Sequence, residues 1–262
     1  MRDLNRAFEP NYTLTSTATK IVVGVQAALA LIFWLMSPFQ VLPTPPEVFH
    51  ALGTLWTDQG LGQELITSFG LNLEALAWTV VISLSLCYFT VMPFFRPVAA
   101  AVAKGRFLGL IGLTFVFTLM VGGGHRLKVS LLVFGMTVFF VTSMASEIEA
   151  IPKSKFDHAR TLRMNEWRVV LEVVVLGTMD RAIEVMRQNA AIGWMMLTMV
   201  EGISRSEGGV GAMLLNQNKH FHLAEVFAIQ FVILSVGLAQ DLAIALFKRV
   251  VCPYAELTLE RR

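Results

Sequence analysis

Six stretches of the chain are apolar over the length of a membrane-spanning helix, and the polar residues gather between them. A bilayer's hydrocarbon core is about 30 Å thick and takes roughly 20 predominantly apolar helical residues, with a range of about 17–25. Runs of that size fall at 20–37, 71–92, 107–124, 129–146, 182–200 and 223–250. The fifth is the least apolar, because Glu184, Arg187, Gln188 and Asn189 lie within it. The first follows a leader that contains acidic residues, and bulky Phe33, Trp34 and Leu35 stand where a small-residue cleavage site would be needed. It therefore reads as a retained first span rather than a secretory signal.

Two of the intervening segments carry helix signals of their own. Segment 38–70 has a turn-forming proline cluster followed by Val48, Phe49, Leu52 and Leu55 at helical spacing, which predicts a short amphipathic helix at the membrane surface. Segment 150–175 includes FDHARTLRMNEWRVVLEVVV. Pro152, then Ser154 with Asp157 three residues on, matches a capping box and predicts a helix starting near Lys155. Phe156, Ala159, Leu162 and Met164 fall along one side of that helix as an exposed apolar ridge, and Asn165 opens a second helix toward the membrane. The product is a helix–turn–helix hairpin.

Composition agrees with the spans. Of 262 residues, 55% are apolar and 15% charged, and the mean hydropathy is strongly positive, far from a soluble domain. The fold class is all-α integral membrane, with an N-terminal tail at 1–19, a six-span domain at 20–250 and a C-terminal tail at 251–262. A net charge of +2 without a basic run gives no nucleic-acid surface. Lysine and arginine set the orientation: with the N-terminus inside, 17 of the 21 fall on the cytoplasmic side and 4 outside, so both termini are expected in the cytoplasm and 150–175 becomes an internal loop.

Ionisable and polar residues inside the bilayer are the functional candidates. Glu201 at the outer end of the fifth run and Arg187 near its inner end are about 20 Å apart along a helix and cannot pair. Arg187 can pair with Glu184 at i, i+3. Glu201, Arg187, Asn189 and Trp194 form the candidate set for a translocation pathway or gate, with Glu201 at the aqueous boundary. Trp194, Met195, Met196 and Met199 also suit helix packing. No phosphate-binding loop of the form G-x-x-x-x-G-K-[ST] occurs, nor H-E-x-x-H or G-x-S-x-G, so no catalytic residue is assigned and ATP hydrolysis would belong to another chain. His125, His220 and His222 lack a supporting carboxylate cluster for a metal.

The internal loop resembles that of the permease subunits of binding-protein-dependent ABC importers, in particular the nitrate, sulfonate and taurine group. Their loop carries Glu-Ala-Ala-x-x-x-Gly, often continued as Arg-Thr-Leu-Gly with a Trp following. The matching residues are Asp157, His158, Ala159, Arg160, Thr161, Leu162, Arg163 and Trp167. Asp stands for Glu, His for the first Ala and Arg for the Gly. VLPTPPEVFHAL, VGGGHRLK and EVMRQNAAIGWMMLTMVEGISRSEGGVGAMLLN resemble further family segments, so the likeness covers about 40–250. It implies a type I importer permease of the bacterial cytoplasmic (inner) membrane, with Phe156 to Arg163 as a coupling helix that docks on an ABC ATPase. It implies no cofactor on this chain, ATP and Mg on the ATPase subunits, a second permease copy or paralogue, and an external substrate-binding protein. Transport by alternating access would carry a small anion or related organic solute. An ATP-independent secondary transporter or channel is the alternative, although mirrored interrupted segments are not evident.

Overall fold

The computed structural model describes residues 15–36, 42–204 and 208–253, and among them the secondary structure is entirely helical. Helix α1, Ser16–Leu35, is apolar and exposed along nearly its whole length. Its 20 residues reach about 30 Å, which suits a helix surrounded by lipid. A short helix α2, Pro45–Thr57, follows. Two prolines occupy its first turn, where their missing N–H groups cost nothing, and the Thr44 amide donates to the Glu47 carboxylate at 2.8 Å. Val48 and Ala51 face inward with Leu55, while Phe49, expected beside them, is 73% exposed. Helix α2 is folded down on α11, Leu223–Val251.

Helix α3, Leu61–Phe89, is 29 residues long and starts ten residues before the apolar run that predicted it. Gly60 precedes it at φ +69°, a left-handed turn that glycine adopts without a Cβ penalty. Helix α6, His125–Glu149, packs along α3 and forms the centre of the molecule with α9, Met179–Ile203. Leu131, Leu132 and Met136 of α6 meet Ala75 of α3, Leu197 of α9 and Ile229 of α11 in one core. A second, smaller core below it holds Cys87, Phe140, Val141 and Met144. The inward faces are closely packed and the outward ones apolar, as a bilayer requires of a bundle that satisfies its own backbone.

Two of the six runs take a form that hydropathy alone does not predict. The run at 107–124 does not form a membrane-length helix: its helix, α5, Leu110–Val121, is 12 residues, about 18 Å, between Gly109 and Gly122 at φ +84°. It is bent by 118° from the preceding segment Pro93–Phe107, which contains α4, Arg96–Lys104. The fifth run becomes α9, 25 residues long but interrupted by charge. Among the described residues, four helices, α1, α3, α6 and α11, are thus long and apolar enough to cross a membrane, or five if the bent pair is one span. The chain is a multi-pass membrane protein.

The loop hairpin comprises α7, Lys153–Thr161, and α8, Glu166–Val169, which runs on as a π-helical turn over Val170–Val175 and a 3-10 turn over Leu176–Thr178. Helix α7 starts two residues earlier than its sequence signal, with Pro152 at the cap and no capping bond from Ser154. A short helix between α9 and α11 is α10, Val210–Lys219.

Candidate functional site

Three of the central helices bring polar side chains to one buried cluster at the end of the bundle where α9 turns into α10. Ser68 comes from α3, seven residues after its start, and Lys128 from the first turn of α6. Glu201 comes from the last turn of α9, and its carboxylate is wholly buried, as is Ser68. Lys128 is 2% exposed. The Ser68 hydroxyl donates to Glu201 Oε1 at 2.7 Å, and the Gly211 amide donates to Oε2 at 2.8 Å. Ser68 in turn accepts from the Val210 amide at 2.9 Å, and Lys128 Nζ donates to the Gly208 carbonyl at 2.9 Å. The Gly209 amide donates to the Glu64 carboxylate.

The GGVG sequence makes this cluster possible. Gly208 and Gly209 have φ of +66° and +107°, and a Cβ on Gly209 would overlap the Glu201 carboxyl. A Cβ on Gly211 would stand 2.6 Å from Thr198 Cα. Glycines here let the α9–α10 connection close over a charged group and satisfy it with backbone amides, which a buried carboxylate demands. Glu201, expected at the aqueous boundary, is instead a buried node joining α3, α9 and α10. Sequence reading passed over Ser68, Glu64 and Lys128, and the signal that could have found them is the glycine run opposite the fifth span's acid.

Below the cluster a polar seam continues between the helices. Gln240 of α11 accepts through Oε1 from Trp194 Nε1 at 2.7 Å and from Asn72 Nδ2 at 3.2 Å. Gly193 leaves room for Asn72, whose Oδ1 would lie 2.6 Å from a Cβ there. Trp194 also stacks on Phe69, with ring centroids 6.3 Å apart. On α3, Ser68, Asn72, Thr79 and Ser83 line one buried face. Asn189 of α9 is 1% exposed and donates to the Val185 carbonyl at 3.3 Å. Among the described residues, Asn72 Oδ1, Thr79 Oγ1, Ser83 Oγ, Asn189 Oδ1 and Gln240 Nε2 are buried without a hydrogen-bond partner.

The opposite end is charged. Arg187 pairs with Glu184 at 2.9 Å and with Asp241 of α11 at 3.4 Å, and Lys248 Nζ meets the second Glu184 oxygen at 2.9 Å. Arg187 and Glu201 sit at opposite ends of α9, in separate clusters. His220 and His222 stand together, with ring centroids 6.0 Å apart and His222 contacting Gln217 at 2.9 Å, while His125 contacts Glu74 at 2.8 Å.

Beyond this end lies the hairpin. Arg163, φ +56°, directly follows Leu162, the C-cap of α7. The Arg163 amide donates to the Arg160 carbonyl at 2.9 Å and the Met164 amide to the Ala159 carbonyl at 3.4 Å, the paired bonds of a Schellman cap. An arginine thus holds the left-handed position that glycine usually takes. Arg160 forks onto Glu166 at 3.0 and 3.2 Å, tying α7 to α8, and lies 3.7 Å from Asp157. The Arg160 guanidinium holds the Glu166 carboxyl below its ordinary value. His158 and Thr161 are exposed, and the Thr161 hydroxyl donates to the His158 carbonyl at 2.6 Å. The expected outward ridge is partly turned in: Ala159 is buried and Phe156 half-buried against the bundle, leaving Leu162 and Trp167 59% and 68% exposed.

A chain of the crystal structure of an amino acid ABC transporter with histidines superposes with a TM-score of 0.59, covering 76% of this chain and 96% of that one. The two are 13% identical, so what they share is the fold. No protein-family model and no curated protein sequence matches.

Proposed function

We propose that this chain is the membrane subunit of an ATP-driven ABC importer of the nitrate, sulfonate and taurine type. It crosses the bacterial cytoplasmic membrane six times, with α1, α3, the bent α4–α5 unit, α6, α9 and α11, and leaves both termini inside. It pairs with a second copy or a paralogue, receives its solute from an external binding protein, and binds neither ATP nor Mg itself. The solute is a small anion or a related small organic compound. Alternating access exchanges the closed Glu201 corner for an open one, and the unpartnered atoms of the seam supply polar groups along the way.

The observation that carries this reading is the end of α7. Arg163 takes the left-handed conformation at the position where the resembling family has glycine, and the turn it makes presents Leu162 outward beside Trp167. Such a pair of exposed apolar side chains on a charged hairpin suits a groove on a partner subunit, and α7 is proposed as the coupling helix.

The test is Leu162→Asp in the chain co-expressed with its phosphate-loop ATPase. Burying a leucine contributes roughly 1.5–3 kcal/mol, and a carboxylate forced into the same apolar contact costs several kcal/mol more, so co-purification should fall by about 100-fold or greater. The helical bundle should be unchanged, because Leu162 is exposed in the chain itself. Retention of the ATPase and normal uptake would remove α7 from the coupling role.

A further inference from the structure

A cavity of about 710 Å³ opens between α4, α6 and the end of α3, with Phe156 of α7 and Val174 of the π turn closing one side. Two helix faces of the same pattern wall it. On α4, Arg96, Ala99, Ala100 and Ala103 fall at i, i+3, i+4 and i+7. On α6, Thr142, Ala145, Ser146 and Glu149 do the same. The four alanines leave a slot without side chains to fill it, and each face carries one charge of opposite sign.

The polar groups are only partly used. Arg96 Nε donates to the Thr90 carbonyl at 3.1 Å, which leaves the terminal guanidinium nitrogens as donors. Thr142 and Ser146 donate their hydroxyl protons to their own helix, at 2.8 and 3.2 Å, so what they still offer is acceptor capacity. Glu149 is exposed and adds a carboxylate. The cavity therefore combines a donor for a phosphate, acceptors for a group bearing N–H⁺, and an apolar slot. A free anion would be repelled by Glu149 and a simple cation by Arg96. A zwitterion with a tail meets all three.

We propose that this cavity holds a phospholipid with an ethanolamine headgroup. Its phosphodiester lies on Arg96, its primary ammonium on Glu149 and the hydroxyl oxygens of Thr142 and Ser146, and an acyl chain follows the alanine slot. The inference rests on the membrane-subunit reading, whose charge bias puts these helix ends at the cytoplasmic leaflet. Because Phe156 borders the same space, the lipid would lie against the inner side of α7, and bilayer composition would set how firmly that helix is seated.

The chain purified without partners is tested with dioleoyl phosphatidylethanolamine, phosphatidylcholine and phosphatidylglycerol, reading lipid retention by native mass spectrometry and the unfolding temperature. Phosphatidylethanolamine should be retained about tenfold over phosphatidylcholine, whose quaternary nitrogen has no N–H to donate. Glu149→Gln should abolish that preference, Arg96→Gln should weaken both lipids, and Ala100→Trp should displace them by filling the slot. Glu149→Gln is an exposed, near-isosteric change, so it reads out even if Ala100→Trp misfolds. Equal retention of the first two lipids, or a preference for phosphatidylglycerol, would overturn the proposal. So would glycerophosphoethanolamine competing as well as the intact lipid, since the slot would then serve a soluble solute. No ATPase is present in this assay, so its failure leaves the importer reading to the Leu162→Asp test.

Discussion

Glu201→Gln together with Lys128→Met probes the corner between α9 and α10 most directly. Glutamine keeps the shape of Glu201 but offers one acceptor oxygen and one NH₂ where the site presents two donors, Ser68 Oγ at 2.7 Å and the Gly211 amide at 2.8 Å. Because the two donors address different oxygens of Glu201, the glutamine oxygen in the same pose meets one of them and the NH₂ faces the other unless Ser68 rotates. That loss of a charge-assisted hydrogen bond is worth about 1.5–3 kcal/mol. Lys128, at 2% exposure, then keeps its charge in a site that has lost one of its carboxylates. Removing one partner of a buried charge set costs roughly 3–5 kcal/mol, which sets the upper end for either single variant. Lys128→Met alone strips the Gly208 carbonyl of its donor and leaves Glu201 with the charge of Glu64 close by.

The double variant removes both charges. If they interact across the corner, it should be more stable than the sum of the single losses by about 1–3 kcal/mol. The measurement is thermal unfolding of the purified chain in detergent, with uptake measured in parallel on the assembled transporter. Uptake should fall in both singles. Full burial makes Glu201 a structural node besides its proposed part in the gate, so some loss of thermal stability is expected even where expression persists. Strictly additive losses would refute the coupling. Singles within about 0.5 kcal/mol of the parent would refute the corner's structural role altogether.

Three further outcomes follow from the geometry. In a variant lacking Cys87 and Cys252, a membrane-impermeant thiol reagent applied from outside should label Asp58→Cys and spare His158→Cys; the reverse would invert the orientation. Arg163→Gly should relieve the left-handed backbone at φ +56° by about 1 kcal/mol and slow exchange of the Met164 amide about fivefold, and an unchanged rate would mean that arginine is not strained there. Since Arg160 lowers the folded-state titration of Glu166, the α7–α8 tie is in place at neutral pH and is lost as pH falls through that lowered value. Exchange across the hairpin should therefore rise in acid, and Glu166→Gln should remove that pH dependence.

Much of the bundle is legible in hydropathy because a lipid-facing helix must be apolar over a fixed length, and α1, α6 and α11 lie within a few residues of their predicted runs. The run at 107–124 differs because composition does not register a chain turn: Gly109 and Gly122 bound a helix too short to cross by itself, and 118° separates it from the segment before.

The cluster at the α9–α10 corner is hidden in the sequence for a more instructive reason. The apolar runs begin at Leu71 and Val129 and end at Val200, so each boundary was drawn just inside a polar residue that the helix in fact carries: Glu64 and Ser68, then Lys128, then Glu201. Hydropathy trims a helix where polar groups start. In a membrane protein those trimmed turns are the ones that can meet, because α3, α6 and α9 end at a common level and only there can buried charge reach the backbone amides of a glycine turn. Polar residues at the ends of three separate apolar runs thus belong to one site, which is why hydropathy alone shows Glu201 as an isolated boundary residue. The sequence carries the signal for Ser68, Lys128, Glu201 and the GGVG turn in the polar residues that flank those runs and in the glycine-rich connection able to close over them.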